Sequence, residues 1–165
     1  MFYYRTYKKD VVKIKNISIK EIVQPDVIEL NVSVANRDEA IYKAGYLLLK
    51  KGIVEEGYIE AMLKACNELG PYIVLVPGIA IPHARPEAGA KGLGISIITL
   101  KEPIPFGNEE NDPVHTVIAL ASDNNNNHLG LLTSLSNFLM DHEKVNKMRA
   151  AKTTDEVMAL LTEND

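Results

Sequence analysis

Tyr72-Ile73-Val74-Leu75-Val76-Pro77-Gly78-Ile79-Ala80-Ile81-Pro82-His83-Ala84-Arg85-Pro86 is the stretch on which the fold turns. A short apolar run, a Pro-Gly pair and a second apolar run predict strand, turn, strand. Within it, Tyr72 to Ile81 is the longest apolar stretch of the chain. Pro77 and Gly78 break it well short of the ~18 residues a membrane span requires. Downstream, Ile95–Leu100 and Val114–Ala121 read as two further buried strands, with Pro103, Pro105, Gly107 and Asn108 marking the loop between them. Upstream, Asn36 followed by Glu39 forms a capping box, and Ile41, Ala44 and Leu48 continue at helical spacing. A second helix spans about Glu55 to Leu69, with Ile59, Met62, Leu63 and Cys66 as its apolar stripe and Gly70-Pro71 as its stop. Cys66 therefore reads as core rather than nucleophile. The last third is helical. One helix runs from His128 to Met140, and another follows Thr153 and Glu156, a second capping box. Helices before and after a central sheet predict one layered domain of the α/β (α+β) class.

Length and composition agree. The chain has 165 residues, 46% hydrophobic and 24% charged, which suits a single domain with a self-sufficient core. One cysteine excludes an internal disulfide and any Cys-rich zinc site, and a lone thiol suits a reducing cytoplasm. Residues 1–20 hold six basic side chains against Asp10 alone, whereas the whole chain carries a net charge of −4. The acidic body argues against nucleic-acid binding. No apolar segment follows the basic opening, so it is not a secretory signal. Its plain reading is a solvated arm that either adds an edge strand or stays mobile.

Four histidines are the candidates for chemistry. His83 lies between Pro82 and the Ala84-Arg85-Pro86 run, at a strand end whose backbone the prolines stiffen. A histidine so placed serves as base, ligand or nucleophile, or is simply structural. His128 follows Asp123-Asn124-Asn125-Asn126-Asn127, with Asn127 read as the N-cap of the helix that His128 opens. Unpaired N–H groups and the positive end of the helix dipole make an anion site there, and the same field lowers a histidine pKa. The plain alternative is a surface histidine near a cap. His115 reads as a strand-edge residue beside a loop, and His142 as a solvated helix start. His83 and His128 could also share a metal, but no third ligand is evident.

The run Ala80-Ile81-Pro82-His83-Ala84 resembles the phosphorylation-site signature of enzyme IIA components of the bacterial phosphoenolpyruvate-dependent sugar phosphotransferase system, mannitol/fructose class (type 2). The resemblance continues through Pro103-Ile104-Pro105-Phe106-Gly107, Asp112-Pro113-Val114 and His128-Leu129, and covers roughly residues 21–161. Glu68-Leu69-Gly70-Pro71-Tyr72-Ile73-Val74 and Pro82-His83-Ala84-Arg85-Pro86-Glu87 look closest to the ascorbate-type branch. The resemblance implies a mixed sheet with helices on both faces over residues 21–165, with residues 1–20 as an extension that has no family counterpart. It implies that His83 accepts a phosphoryl group from the phosphocarrier HPr and passes it to a cysteine of a IIB component, with the membrane IIC reached only indirectly. His128 would assist, with Arg85 and Asn127 as phosphoryl-binding support. No metal or organic cofactor is implied. One departure stands out: the mannitol branch has an arginine near the end of the helix before the signature, where this chain has Lys64-Ala65-Cys66-Asn67. The alternative output is a regulatory IIA-like module whose phosphorylation state a transcription or kinase partner reads.

Overall fold

The computed structural model describes residues 16–163. In chain order the principal elements are α1 (Ile19–Ile22), β1 (Ile28–Val32), α2 (Arg37–Lys50), α3 (Glu56–Leu69), β2 (Val74–Val76) and β3 (Ile79–Ala80). They continue with β4 (Gly94–Ile104), β5 (Val114–Ala121), α4 (Asn125–Leu139), α5 (His142–Ala150) and α6 (Thr154–Thr162). The strands form one sheet in the order β1-β4-β5-β3-β2. It is mixed: β1 runs parallel to β4 and β3 parallel to β5, while the β4–β5 and β2–β3 pairs are antiparallel.

Both faces of the sheet are covered, and the period-2 alternation of the central strands sorts the core into two layers. Ile98, Leu100, Val117, Ala119 and Ala121 face α2 and α3, whereas Ile95, Ile97, Ile118 and Leu120 face the layer built from α1, α4, α5 and α6. The small residues of β5 let α2 approach, and Ser96 within β4 donates its hydroxyl to the Ala44 carbonyl of α2 at 2.6 Å. Gly45 serves the same close packing: a Cβ there would lie 2.9 Å from Met62 Cε and 3.0 Å from Ile59 Cγ1 of α3. Cys66 is buried in this layer, and burial raises its thiol pKa.

Both expected capping boxes form. Asn36 accepts from the Glu39 amide at 2.9 Å and Thr153 from the Glu156 amide at 3.2 Å. The expected strand–turn–strand is the β2–β3 hairpin, with Gly78 at φ +78° in its turn. Two elements were not read from the sequence. The first is β1, an edge strand with only alternate burial, interrupted where Asn31 takes a positive φ and donates its amide to Thr99 Oγ1. The second is α1. Its turn, Ile19–Ile22, begins within the basic arm where an edge strand or a mobile segment was expected, and Ile17 and Ile19 are buried in the second layer. The remainder of the basic arm lies outside the described residues.

His115 stands near the start of its strand beside a loop, as the sequence suggested, but it is not a surface residue. It stands on β5, a central strand, is 7% exposed, and packs its ring where a Cβ on Gly78 would sit. Its Nδ1 meets Thr116 Oγ1 at 2.8 Å. Burial, with a smaller contribution from the Arg149 charge, pushes its pKa down to about 4. The unfolded ring takes a proton below pH ~6.5 while the folded ring resists. Stability is therefore full above pH ~6.5 and falls as pH drops toward 4, by up to about 3 kcal/mol from this residue. Urea unfolding at a series of pH values should show this decline, and His115→Asn should flatten it.

Candidate active site

The parallel pairing of β3 with β5 brings the two sequence-predicted histidines together. Ile79 and Ala80 lie opposite Thr116 and Val117, so both strands run toward the same end of the sheet. The pairing continues past β3, where the Leu120 amide donates to the Pro82 carbonyl at 3.1 Å. One strand then delivers His83, and the other leads through Ser122–Asn124 into α4, which carries His128. In open α/β sheets this is where ligands bind, outside the carboxyl ends of neighbouring strands.

His83 and His128 face each other with ring centroids 5.3 Å apart and planes 52° to one another. Tyr72 meets the His83 ring edge-on at 5.8 Å. Both histidines line a depression of about 640 Å³ whose wall also includes Lys64, Arg85 and Asn125. Its lining mixes apolar side chains, among them Tyr72 and Leu69, 70% exposed, with the carboxylates Glu68 and Glu87. The sequence could not name the group that orients the His83 ring. It is a backbone group: Nδ1 lies 2.8 Å from the carbonyl oxygen of Ile81. A carbonyl only accepts, so Nδ1 carries the proton of the neutral ring and Nε2 keeps its lone pair.

His128 has a pKa below the ordinary histidine value, as expected, but the cause differs. Burial contributes most and the neighbouring His83 charge second. Its Nδ1 is buried and has no hydrogen-bond partner among the described residues, so the ring meets the depression through its other atoms. Its place on the helix also differs from expectation. Asn124, not Asn127, is the N-cap, accepting from the Asn127 amide at 2.8 Å, and α4 opens at Asn125. Any asparagine of a run of four can cap, so the sequence does not choose among them. Asn127 therefore sits inside the first turn, its side-chain amide 3.5 Å from Asp123 Oδ1, and Asn125 lines the depression instead. The His128 amide makes the first helical bond, to Asn124. The amides that the helix ladder leaves unused are those of Asn125 and Asn126.

Arg85 is exposed at the depression. Lys64 is there too, 3.9 Å from Glu68 on its own helix. The stretch of α3 without an arginine receives one from elsewhere, since Arg37 of α2 donates to Asn67 Oδ1. His115 and His142 line a separate cavity with Arg149 and take no part in this site. Among the described residues, no three His, Cys, Asp or Glu side chains gather to hold a metal ion. No helix among them is long and apolar enough to cross a membrane.

A layered α/β domain that presents two facing histidines at an open depression has the parts for chemistry at an imidazole nitrogen. The sequence profile of the phosphoenolpyruvate-dependent sugar phosphotransferase system EIIA 2 family matches residues 21–164, and the chain belongs to that family. It is a phosphotransferase that works through a phosphohistidine intermediate, a phosphocarrier of that system. The ascorbate-specific EIIA component of Escherichia coli K12 is 37% identical over 136 residues, covering 81% of this chain and 88% of that protein. The solution structure of the mannitol-specific cryptic phosphotransferase enzyme IIA of Escherichia coli superposes with a TM-score of 0.82 at 29% identity, covering 90% of this chain and all of that one. Enzyme IIA mannitol of Escherichia coli, in complex with phosphorylated enzyme IIB mannitol, gives 0.76 at 33% identity over 86% and 98% of the two chains.

The causes of the His128 shift are separable. In an NMR titration His128 should protonate below the usual histidine value of ~6.5. His83→Gln should move it part of the way back, because the charge is removed while a side chain of similar size keeps the burial. Titration of His128 at or above the ordinary value in the unaltered protein would contradict this assignment.

Proposed function

We propose that His83 is the residue that carries the phosphoryl group, received from phospho-HPr and delivered to the cysteine of a IIB component in the cytoplasm. The observation that supports it most is the bond between His83 Nδ1 and the Ile81 carbonyl, which leaves Nε2 as a fixed nucleophile at the depression. The Nε2 lone pair attacks phosphorus, the P–N bond to the donor histidine breaks, and its electron pair stays on the donor ring. Nδ1 keeps its proton throughout. In the second step a IIB thiolate attacks the same phosphorus, and the pair of the breaking P–N bond returns to Nε2.

Such a transfer asks for positioning and for charge stabilisation on three phosphoryl oxygens, with little covalent work by the protein. His128 stays neutral because it is buried, and it donates one N–H without adding a full charge. The unused amides at the start of α4 add oriented donors, and Arg85 supplies the cation at the rim. Asn127 is replaced in the supporting role by Asn125. The open depression leaves two partner proteins access to one atom in turn. Similarity to the ascorbate-specific relatives supports uptake of an ascorbate-type sugar as the pathway served.

Incubation with phosphoenolpyruvate, enzyme I and HPr should add one acid-labile phosphoryl group to the intact mass. His83→Ala should gain none, and His128→Gln should gain it about 10²-fold more slowly. Phosphorylation of His83→Ala would contradict the proposal. Transfer onward to an ascorbate-specific IIB and not to a mannitol-specific one would settle the pathway, whereas capture of a transcription or kinase partner without any IIB transfer would favour the regulatory output.

A further inference from the structure

Tyr58 is a fully buried side chain at the start of α3, and it does not line the depression. Its hydroxyl donates to the Leu120 carbonyl at 2.6 Å and accepts from the Ala84 amide at 3.1 Å. Leu120 uses its other backbone group on the opposite side of His83, donating its amide to the Pro82 carbonyl at 3.1 Å. His83 is thus bracketed. The residue before it is tied directly to β5, and the residue after it is tied to the same residue of β5 through one phenolic oxygen. Pro82 has no amide hydrogen to add to the hold.

This matters because the Nδ1 bond of His83 reaches back only two residues, to Ile81. So local a bond survives only while the backbone torsions between Ile81 and His83 stay fixed, and the ties at Pro82 and Ala84 hold the chain on either side of the ring. Without the phenolic oxygen, the Leu120 carbonyl and the Ala84 amide would be partly buried backbone groups with no partner, and the chain would shift to satisfy them. Burial pushes the Tyr58 pKa up to about 12, so the group is a hydroxyl, donor and acceptor at once, throughout the neutral range.

We propose that Tyr58 is a positioning residue for phosphoryl transfer, its hydroxyl locking the chain around His83 so that Nδ1 stays on Ile81 and Nε2 stays aimed at the depression. This rests on the assignment of His83 as the phosphoryl carrier. Tyr58 touches neither the docking rim nor the phosphoryl group, so its loss should lower the transfer rate and leave donor affinity alone.

The test compares the unaltered protein with Tyr58→Phe, Ile59→Val and His83→Ala in single-turnover transfer from phospho-HPr. Nitrogen-15 NMR of the His83 ring accompanies it, at a temperature below every variant's melting transition. Tyr58→Phe should reduce the maximal rate by about 10- to 100-fold, the cost of a misplaced nucleophile. It should leave the half-saturating concentration of phospho-HPr within about twofold and should turn the single Nδ1–H tautomer into a mixture. Ile59→Val loosens the same helix without touching the bridge and should transfer at the unaltered rate. An unaltered rate in Tyr58→Phe, an unchanged tautomer, or equal losses in Tyr58→Phe and Ile59→Val would overturn the proposal. Phosphorylation of His83→Ala would instead overturn the carrier assignment beneath it. The unaltered protein offers a check that needs no variant: its Ala84 amide should resist hydrogen exchange, and exchange as fast as an exposed loop would overturn the bridge.

Discussion

The parallel pairing of β3 with β5 is the constraint on which the rest depends. β3 is only two residues long, yet its register against Thr116 and Val117 decides where the chain beyond it goes. Side chains alternate along a strand, so a slip of one residue would exchange the faces of Ile79, Ala80 and Ile81 and turn Ile81 out of its layer. The pairing is held on several sides. The β2 hairpin closes one edge and the Gly78 carbonyl accepts from the His115 amide at 2.8 Å. His115 fills the space that a side chain on Gly78 would occupy, which joins the start of the strand to the core as firmly as Leu120 joins its end. The segment that leads to His83 is therefore tied to β5 before the strand at Gly78 and after it at Pro82, and His83 is the first residue past the second tie.

Much of this was legible because local chemistry and tertiary role agree. The capping residues Asn36 and Thr153, the Pro77-Gly78 turn and the buried runs of β4 and β5 each carry their signal within a few residues. The resemblance carried by Ala80-Ile81-Pro82-His83-Ala84 gave the family. What stayed hidden is non-local. β1 is an edge strand whose alternating Glu29 and Asn31 weaken any apolar run, and it is recruited by β4 rather than by its own propensity. The group that orients His83 is a backbone carbonyl, and no side-chain pattern announces a carbonyl. Tyr58 reads in the sequence as an ordinary helical residue, since its two backbone partners lie 26 and 62 residues away. The cap of α4 was misplaced for a different reason: four consecutive asparagines are equivalent until the backbone selects one.

The chemistry follows from where charge is allowed. A phosphoryl group in flight carries negative charge, and a strongly cationic site would hold it rather than pass it on. Here burial favours the neutral form of His128 beside His83, and the charged side chains of the depression, Lys64 and Arg85 with Glu68 and Glu87, stand on its wall. Stabilisation from oriented N–H groups is available during the transfer and adds no net charge to the resting site. The same economy explains the shape. A carrier that must meet a donor and then an acceptor cannot enclose its nucleophile, so rigidity comes from backbone ties beneath the histidine rather than from a lid above it.

The proposed carrier role of His83 rests on one atom: Nδ1 is committed to the Ile81 carbonyl, which leaves Nε2 to take the phosphoryl group. Phosphorus–nitrogen coupling in the NMR spectrum of the phosphorylated, nitrogen-15 histidine-labelled protein reads this directly. The expected result is a P–N bond at Nε2 of His83 with the proton retained on Nδ1. A phosphoryl group on Nδ1, or on another histidine, would contradict it.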